Sequence, residues 1–511
     1  MPSTGTSSAS GKSDEAWMNE VMDRINSSHP VDHRGNPCTI FKVPKHIRQL
    51  DCEAYEPMIA SLGPFHHQNP NERSVVQHHK WQCAWHFLSR RRSQEHANRL
   101  LDQCLLELTK RDDRVRRCYS EELSALNAQD MALIMLLDGC FIIYLILKEK
   151  ESSEARKGEV VLNIDGKEKL PEYPTVAGLF TFNLVVYDLL KLENQIPFFI
   201  IQLSFEQLEI REDDEDLVDL ALKLFKGIHP EESESFKKKG KRSPNEYHHL
   251  LHLFYSSRTL SEKPAESTSA PGCIRRAIEC MKSRWRKAAE AAPSQRSTRE
   301  TWISAPRWIP SATELDRSGV RFKKKKLPVD NFLNITFEQR KMIKMTPLPC
   351  LLNLCSTFSG GRMEIPPLQI FDYTAPLFRN LIAFEQCYYD TEMYITIYAL
   401  FMDCIIDQVE DVRLLHLEGI LEHGLSNDQA VADLFNGLGG NIHFDWEMNY
   451  LANQIVEANK FYGSKWHKWL ARLRRDYLSN PWAIISVFAA IFLLLLTIEQ
   501  AVFSSLSYFH S

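Results

Sequence analysis

The sequence predicts a mainly α-helical protein: a large helical globular body with minor β-structure and one C-terminal transmembrane helix. Three observations lead to this prediction. Apolar residues recur at helical spacing between about residues 40 and 480, only short extended stretches interrupt them, and one uncharged apolar segment lies near the C-terminus. Of the 511 residues, 44% are hydrophobic and 25% are charged, which is ordinary globular composition with enough apolar material for a large core.

The averages exclude several classes of protein. Mean hydropathy is -0.30, which excludes a polytopic membrane protein, and the composition excludes collagen-like, wholly disordered and small disulfide-stapled chains. The net charge of -5 gives no basic field, so we expect no nucleic-acid partner. The twelve cysteines include no CxxC pair, and the polar N-terminus has no apolar signal region. We therefore expect a reducing, cytosolic setting for the body, no structural zinc and no cofactor.

The first half divides into a tail, helices and loops. Residues 1–38 are polar and predict a disordered tail, after which Trp81, Trp85 and Leu88 stand at helical spacing. The nearly uninterrupted apolar run Ala132–Leu147 predicts a buried core helix. Residues 150–180 predict a loop.

The middle of the chain holds one further helix and an insert. A helix over about 183–194 is expected to end before Pro197, because proline disfavours helical backbone in the residue before it. An acidic stretch over 211–216 predicts the start of another helix. Residues 258–301 are rich in Ser, Pro, Ala, Glu and Arg and predict an exposed insert.

The second half returns to helix after short extended pieces. The segment 309–322 predicts a helix with Ser311 or Thr313 as cap and Gly319 as terminator. The pieces 332–337 and 362–370 predict a small sheet. Helices are expected over 374–421, from 426 to 436, and over 450–478. With no repeat and no clear linker, residues 39–480 are interpreted as one helical body.

The C-terminal segment gives the strongest physical signal. Residues 482–498 carry no charge, and the segment 481–503 is about 33 Å long as a helix, the thickness of a hydrocarbon core. Pro481 and Trp482 flank its start and Phe503 its end, leaving residues 504–511 as a short tail. A buried core helix is the alternative. Lysines and arginines precede the segment and none follows it, so the positive-inside rule places the body in the cytosol, on the plasma membrane or an endomembrane.

A search for catalytic motifs finds none. The N-terminal stretch 5–13 resembles a phosphate-binding loop but has five residues between its glycines instead of four, and no strand precedes it. His248, His249 and His252 could share a metal, but they lie in an apolar run and are interpreted as partly buried structural histidines. The lysine runs 237–239 and 323–326 are interpreted as solvated loops, with anionic lipid headgroups as the alternative and nucleic acid as the least favoured one.

Several strings, taken together, resemble the plant family known as domain of unknown function 247, also called uncharacterised protein family 0481. They run in order from about residue 38 to 505 and comprise Ile40–Pro44, Tyr55–Pro57, Leu62–His67, Asp138–Phe141, Asp188–Phe199, His248–Leu251, Pro310–Leu315, Gly319–Phe322, Phe378–Gln386, Leu434–Asn436 and Asn480–Trp482. One string departs from the family pattern, since Gln68 rather than glycine follows His67. The resemblance implies a largely helical plant protein with a C-terminal membrane segment and no established enzyme activity. Some grass members of the family look like pollen-side self-incompatibility determinants.

Six polar residues within these strings form the candidate polar cluster: Glu193, Asn194, Gln195, Asn380, Glu385 and Gln386. One interpretation is that they satisfy buried backbone groups and join two helices across a shared core. The other is that they line a binding cleft. We expect a membrane-tethered protein-binding or signalling module, with the lipid bilayer and an unidentified protein as partners. The alternative is an unrecognised enzyme whose pocket is lined by these carboxylates and amides.

Overall fold

The apolar run predicted as a core helix forms the longest helix of the first half. The computed structural model describes residues 17–19, 21–22, 38–67, 75–89, 93–156, 178–208, 216–238, 243–259, 308–325, 331–339, 360–440, 442, 444, 446–465, 468 and 481–510. The described helices of the first half are α1 (Lys45–Arg48), α2 (Val75–Ser89), α3 (Gln94–Thr109), α4 (Asp112–Arg117), α5 (Ala128–Arg156), α6 (Leu179–Asp188), α7 (Phe198–Gln207), α8 (Leu217–Leu224), α9 (Glu234–Lys238) and α10 (Leu250–Arg258). α5 is the centre of this half, because α2, α3, α7 and α8 all pack against it.

The second half adds the predicted sheet and a second group of helices. Its described elements are α11 (Ala312–Arg317), β1 (Val320–Lys324), β2 (Thr336–Gln339), β3 (Gly361–Ile365), β4 (Leu368–Ile370), α12 (Thr374–Cys387), α13 (Tyr394–Ile405), α14 (Val409–Leu417), β5 (Leu421–His423), α15 (Asp428–Leu438), α16 (Ala452–Gly463) and α17 (Pro481–His510). β3 pairs with β1 in parallel and with β2 in antiparallel orientation, and β4 pairs in parallel with β5. The mainly helical class with minor β-structure is confirmed.

Two helix starts were predicted correctly for a physical reason. Ser311 precedes α11 and forms a capping box with Glu314, in which each side chain bonds to the other residue's backbone N–H. Gly319 ends this segment with a φ of +99°, a conformation that favours glycine. Asn427 precedes α15 and accepts a hydrogen bond of 2.8 Å from the Ala430 N–H.

One core runs through both halves. Buried apolar side chains from α5, α10, α12, α13 and α15 belong to the same cluster. α12 crosses between the halves, because it packs against α13 and also against the short 3₁₀ turn Glu53–Tyr55. This continuity agrees with the interpretation of residues 39–480 as one body, which stays a prediction.

Several predicted boundaries were wrong. α5 continues to Arg156, beyond the start of the predicted loop at residue 150. The helix expected over 183–194 begins at Leu179 and ends at Asp188, well before Pro197. It ends early because the Asn194 side chain donates to the Asp188 carbonyl and the Gln195 side chain donates to the Leu189 carbonyl, so side chains replace the next turn of helix.

The boundary of the insert was also wrong. Arg258, its predicted first residue, ends α10 and is buried, and its guanidinium donates to the Phe225 and Pro230 carbonyls. The rest of the predicted insert lies outside the described residues apart from Thr259, as does most of the tail 1–38. The helix expected over 450–478 is described as α16, from Ala452 to Gly463; residues 469–480 lie outside the described part.

The C-terminal segment forms one helix. α17 begins at Pro481, as expected, and continues to His510 through the predicted tail 504–511. Among the described residues, one helix is long and apolar enough to cross a membrane by length and composition, Ala128–Ala155, and 89% of its most apolar stretch is buried in the core. Within α17 the described apolar stretch is Phe492–Phe503, so a C-terminal transmembrane helix remains a prediction.

Candidate functional site

The segment between α6 and α7 binds the backbone of a loop far away in sequence. The buried Asp188 carboxylate accepts hydrogen bonds from the N–H groups of Met58, Ile59 and Ala60 at 2.7–2.9 Å. Lys191 lies 3.6 Å from the same carboxylate. Burial raises the pKa of Asp188, whereas these backbone N–H groups and Lys191 oppose the shift. Three consecutive backbone groups are thereby fixed by one side chain.

Asn194 and Gln195 extend this arrangement. The Asn194 side-chain oxygen accepts from the Leu62 N–H at 2.6 Å, and its nitrogen donates to the Ala60 carbonyl. The Gln195 side-chain oxygen accepts from the Leu251 N–H at 3.1 Å, which connects α10 to the same segment. Both side chains are buried and bonded to backbone atoms, so their polar groups are satisfied.

Glu193 is a buried carboxylate with two cationic neighbours. It accepts from the Val43 N–H at 2.7 Å and lies 2.5 Å from the Arg48 guanidinium and 3.3 Å from the Lys42 ammonium. A buried charge requires such partners, because an isolated one is strongly destabilising. Glu193 thereby holds the start of the body, residues 42–48, against the loop before α7.

Asn380 and Glu385 perform the same task from α12. The Asn380 side chain accepts from the Leu192 N–H at 2.9 Å and donates to the Ala54 carbonyl at 2.8 Å. The Glu385 carboxylate accepts from the N–H groups of Ile395 and Thr396, at the start of α13. Burial raises the pKa of Glu385 to about 7 although these hydrogen bonds oppose the shift.

The candidate polar cluster therefore consists of five buried residues and the half-buried Gln386 beside Glu385. The structure brings Glu193, Asn194, Gln195 and Asn380 together around residues 42–63, and it places Glu385 at the junction of α12 and α13. These contacts are the ones that the structural interpretation of the cluster requires. None of the six residues lines the open cleft described next.

That cleft lies between residues 59–67, α2 and the first turns of α5, and its volume is about 630 Å³. This size is within the range of small-molecule sites. Its apolar wall is formed by Ile59, Val76, Ala125, Leu126, Leu133, Ile134, Leu137 and the half-exposed Trp81. One member of the candidate polar cluster acts on the cleft indirectly, because Asn194, together with Asp188, fixes the backbone that forms one of its walls.

A buried ion pair lies at the polar end of the cleft. The Lys80 ammonium is 2.5 Å from the Asp138 carboxylate, and it also donates to the Ser61 carbonyl. The other Asp138 oxygen accepts from the Gly63 N–H at 2.7 Å. The pair therefore joins α2, α5 and the loop, and each charge is hydrogen-bonded as a buried charge must be.

Gly63 allows the loop to approach the candidate polar cluster. Its φ is +68°, and a Cβ there would lie 2.6 Å from the Gln195 carbonyl oxygen and 3.3 Å from the Tyr119 hydroxyl. Tyr119 itself donates to the same carbonyl at 3.0 Å. Only glycine fits this position without a shift of the backbone.

Two residues that line the cleft each carry a buried polar atom without a hydrogen-bond partner among the described residues. These atoms are the Nε2 atom of His66, a residue only 7% exposed, and the hydroxyl oxygen of Ser61. The Nδ1 atom of His66 lies 3.7 Å from the Glu56 carboxylate. Burial lowers the pKa of His66 although Glu56 opposes the shift.

The three histidines at the start of α10 are withdrawn from solvent: His249 is buried, and His248 and His252 are partly buried. His248 and His252 stack with ring centroids 4.8 Å apart, the His248 Nε2 atom pairs with the Tyr388 hydroxyl at 2.9 Å, and His249 reaches the Thr39 carbonyl at 3.1 Å. Burial lowers the pKa of all three, that of His252 to about 3. No group of three metal-ligating residues is present in the described parts of the chain.

The interpretation of the basic run 323–326 as a solvated loop was wrong for its first half, because Lys323 and Lys324 end the strand β1. Lys323 forms an ion pair with Glu418 at 2.5 Å, and the Lys325 ammonium donates to the Asn334 carbonyl and side-chain oxygen. Arg321 and Lys324 are exposed. The other run, Lys237–Lys239, is described only as far as Lys238.

Sequence reasoning missed the cleft. It recognised Trp81, the string containing Gly63 and His66, and the string containing Asp138, but assigned none of them to a site. The informative signal was a single interrupting charge within the apolar run of α5, because a buried aspartate requires a cationic partner. Nothing in the sequence indicates that this partner is Lys80.

Comparison of the sequence with known proteins finds one matching family and two similar proteins. The family model DUF247, described as plant protein of unknown function, matches residues 40–496. The chain is 27% identical to UPF0481 protein At3g47200 of Arabidopsis thaliana, over 92% of this chain and 87% of that protein. It is 25% identical to putative UPF0481 protein At3g02645 of the same plant, over 91% of this chain and 90% of that protein. No solved structure matches the chain significantly.

Proposed function

Because the chain belongs to the DUF247 family of plant proteins of unknown function, and because its cleft opens beside exposed aromatic side chains, we propose that it is a membrane-tethered recognition protein whose helical body binds a protein partner. The observation that carries the proposal is the pair Trp81 and Trp85. They are 50% and 69% exposed, they lie one turn apart on α2, and Trp81 lines the cleft. Exposed tryptophans beside a concave surface are typical of the residues that contribute most to protein–protein affinity.

The exposed α17 supports the tether. Its described large apolar side chains are between 44% and 64% exposed: Ile485, Phe492, Leu493, Leu494, Leu495, Leu496, Ile498, Val502 and Phe503. A contiguous apolar surface of this kind is unfavourable in water, and a bilayer covers it. The thirty residues of α17 extend about 45 Å, enough to cross a hydrocarbon core. The basic residues before it, at 465–475, keep the body in the cytosol.

An enzyme was the alternative expectation, with the candidate polar cluster lining its pocket. The described geometry gives this alternative no support at those residues, since five of the six are buried and none lines the cleft. The proposal therefore assigns them a positioning role. Asn194 fixes the backbone at Ala60 and Leu62, beside one wall of the cleft. Glu193 and Asn380 join residues 43 and 54 to the segment before α7.

The partner is tested by proximity labelling in plant cells with the intact protein fused to a labelling enzyme. We expect reproducible protein neighbours for the wild type and their loss for the double variant Trp81→Ala/Trp85→Ala. Leu417→Ala is the matched control, because Leu417 is 83% exposed and does not line the cleft. Absence of reproducible neighbours, or identical neighbours for the double variant, contradicts the proposal.

The tether is tested separately by alkaline extraction of membranes. We expect the full chain to stay in the pellet and a variant without residues 481–511 to become soluble. A truncated protein that remains in the membrane pellet contradicts this topology. A role in grass self-incompatibility is a narrower form of the proposal; it requires expression confined to pollen, and uniform expression in leaf and root excludes it.

A further inference from the structure

The cleft between residues 59–67, α2 and α5 is open, so the side chains at its accessible surface determine what it can bind. The ionic side chains Lys80 and Asp138 line it but are buried. The accessible part of the lining includes Gln77, Trp81, Leu126, Asp130 and Leu133. Polar and apolar side chains are mixed on this surface, which is typical of sites that bind a segment of another protein.

Asp130 gives the accessible surface a negative charge. Its side chain is exposed and lines the cleft, and its carboxylate has no ion-pair partner among the described residues. The lining cation Lys80 is paired with the buried Asp138 and does not compensate the charge of Asp130. Two further exposed carboxylates, Glu121 and Glu122, lie in the loop that leads into α5. A partner with a positive charge is therefore favoured at this side of the cleft.

The aromatic wall of the cleft also favours a cation. Trp81 is 50% exposed and lines the cleft from α2, whereas Asp130 lines it from the first turn of α5. The face of an indole ring attracts a cation whose charge lies within about 6 Å of the ring centre. One positively charged group in the cleft can therefore contact an aromatic ring and a carboxylate at the same time.

A guanidinium group matches this pair better than other charged groups do. It is planar and stacks on an indole ring, and it donates two parallel hydrogen bonds to one carboxylate. An ammonium group provides the charge without the planar stacking surface. A carboxylate or phosphate would be repelled by Asp130, and an uncharged amide would gain neither electrostatic contact.

The apolar part of the accessible lining fits the rest of an arginine side chain and its neighbours. Ile59, Leu126 and Leu133 are half-buried at the cleft surface. Such side chains pack against the methylene groups of an arginine while its charged end stays at the polar groups. The cleft volume of about 630 Å³ is that of a site for a drug-sized ligand, which leaves room for a neighbouring apolar side chain.

We propose that the cleft binds an arginine side chain of the protein partner, with the guanidinium between the Trp81 ring and the Asp130 carboxylate. This inference rests on the proposed binding of a protein partner and adds the chemistry of the segment that is recognised. The apolar residues next to that arginine contact Leu126 and Leu133.

The test is an array of immobilised pentapeptides incubated with the full chain in detergent. The central residue is arginine, lysine, citrulline or glutamate, and the flanking positions are mixtures of alanine, leucine and serine. Citrulline has the shape of arginine without its charge. We expect the arginine peptides to bind about tenfold more tightly than the citrulline peptides, and this binding to weaken as the salt concentration rises.

Two cleft variants and a matched control locate the contact. Asp130→Asn removes the charge at constant size, and Trp81→Leu replaces the ring by an aliphatic side chain; each should weaken the binding of arginine peptides by about tenfold. Asp219→Asn is the control, because Asp219 is also exposed in the first turn of a helix, α8, but does not line the cleft. It should leave peptide binding unchanged. Thermal unfolding of every variant shows whether it is folded.

Equal binding of arginine and citrulline peptides, or a folded Asp130→Asn variant that still prefers arginine, overturns the inference. The absence of peptide binding to the wild-type chain does the same. If Asp130→Asn does not fold, the comparison of arginine with citrulline on the wild-type chain decides the question.

The same measurements separate this inference from the proposed function. If the array shows no preference for arginine while the neighbours found by proximity labelling still depend on Trp81 and Trp85, the protein partner stands and the recognition of arginine is wrong. If the array shows the preference and no reproducible neighbours are found, the selectivity of the cleft stands and the proposed function is wrong.

Discussion

Asn380 and Leu192 lie 188 residues apart in the chain, yet the Asn380 side-chain oxygen accepts a hydrogen bond of 2.9 Å from the Leu192 N–H. The same asparagine donates to the Ala54 carbonyl. One side chain on α12 therefore satisfies backbone groups of two distant segments of the first half. Removing it leaves both groups buried and unpaired.

Asn380→Ala is therefore expected to lower the free energy of unfolding of the full chain by about 2–4 kcal/mol, since each orphaned buried group destabilises by about 1–3 kcal/mol. Urea unfolding in detergent measures the change. The matched control is Asn98→Ala on the surface of α3, which should change stability by less than about 0.5 kcal/mol. Equal effects of the two substitutions would mean that Asn380 does not join the halves.

Gly63 gives a second prediction, with its own internal control. Gly63→Ala places a Cβ 2.6 Å from the Gln195 carbonyl oxygen at a φ of +68°. Gly227 has a φ of +87° but nothing within 4 Å of the corresponding Cβ. Gly227→Ala should therefore lower the free energy of unfolding only by the strain of a left-handed backbone at alanine, about 1–2 kcal/mol. Gly63→Ala should lower it clearly more, because the steric clash adds to that strain.

Thermal unfolding of the two glycine variants isolates the steric effect. A Gly63→Ala variant as stable as Gly227→Ala would show that residues 58–63 are not tightly held against Gln195.

The ion pair between Lys80 and Asp138 provides the third prediction. Lys80→Met leaves a buried carboxylate without its cation and is expected to destabilise the protein by about 3–5 kcal/mol. Adding Asp138→Asn removes the orphaned charge and retains an acceptor for the Gly63 N–H. The double variant should therefore be more stable than Lys80→Met.

Denaturant unfolding of the wild type, both single variants and the double variant measures this coupling directly. If the effects of the two substitutions simply add, the carboxylate and ammonium do not interact, and the polar end of the cleft is arranged differently.

Helix ends that depend on neighbouring residues were predicted from the sequence, and an end that depends on a more distant contact was not. Local signals predicted the α11 start at Ser311 and its end at Gly319, because caps and left-handed turns depend on neighbouring residues. The apolar run of α5 predicted its burial for the same reason. The predicted end of α6 before Pro197 was wrong. The side chains of Asn194 and Gln195 end that helix nine residues before the proline.

The site could be predicted only in part. The polarity of Glu193, Asn194 and Gln195 within an apolar run indicated buried hydrogen bonding, but not their partners. Those partners, such as the N–H groups of Val43 and Leu62, are more than 100 residues away, and spacing along the chain carries no information on such pairings. The cleft was missed for the same reason, since it is assembled from residues 59–67, α2 and α5.

The last prediction concerns pH and the histidine stack of α10. Burial, together with the neighbouring His248, lowers the pKa of His252 to about 3 in the folded chain. A histidine in the unfolded chain has a pKa of about 6.5. Above pH 6.5 neither state binds the proton. Below it only the unfolded state does, so stability falls as the pH decreases, by about 2 kcal/mol for His252 between pH 8 and pH 5.

Glu385 works in the opposite direction over the same range. Its folded pKa of about 7 lies above that of an unfolded glutamate, so the folded state binds its proton first and gains stability as the pH decreases from 8 to 5. The pH dependence of the wild-type free energy of unfolding contains both contributions, which have opposite signs. Each is measured by replacing one of the two residues and leaving the other in place.

The decisive measurement is therefore the difference in free energy of unfolding between the wild type and His252→Gln at pH 8 and pH 5. Between pH 8 and pH 5 the stability of the variant should rise by about 2 kcal/mol relative to that of the wild type. The variant lacks the loss of stability that His252 causes on acidification, and it keeps the contribution of Glu385. Glu385→Gln should show a difference of the opposite sign. A His252→Gln variant whose difference from the wild type does not change with pH would mean that His252 takes up its proton equally in both states and is therefore solvated in the folded protein.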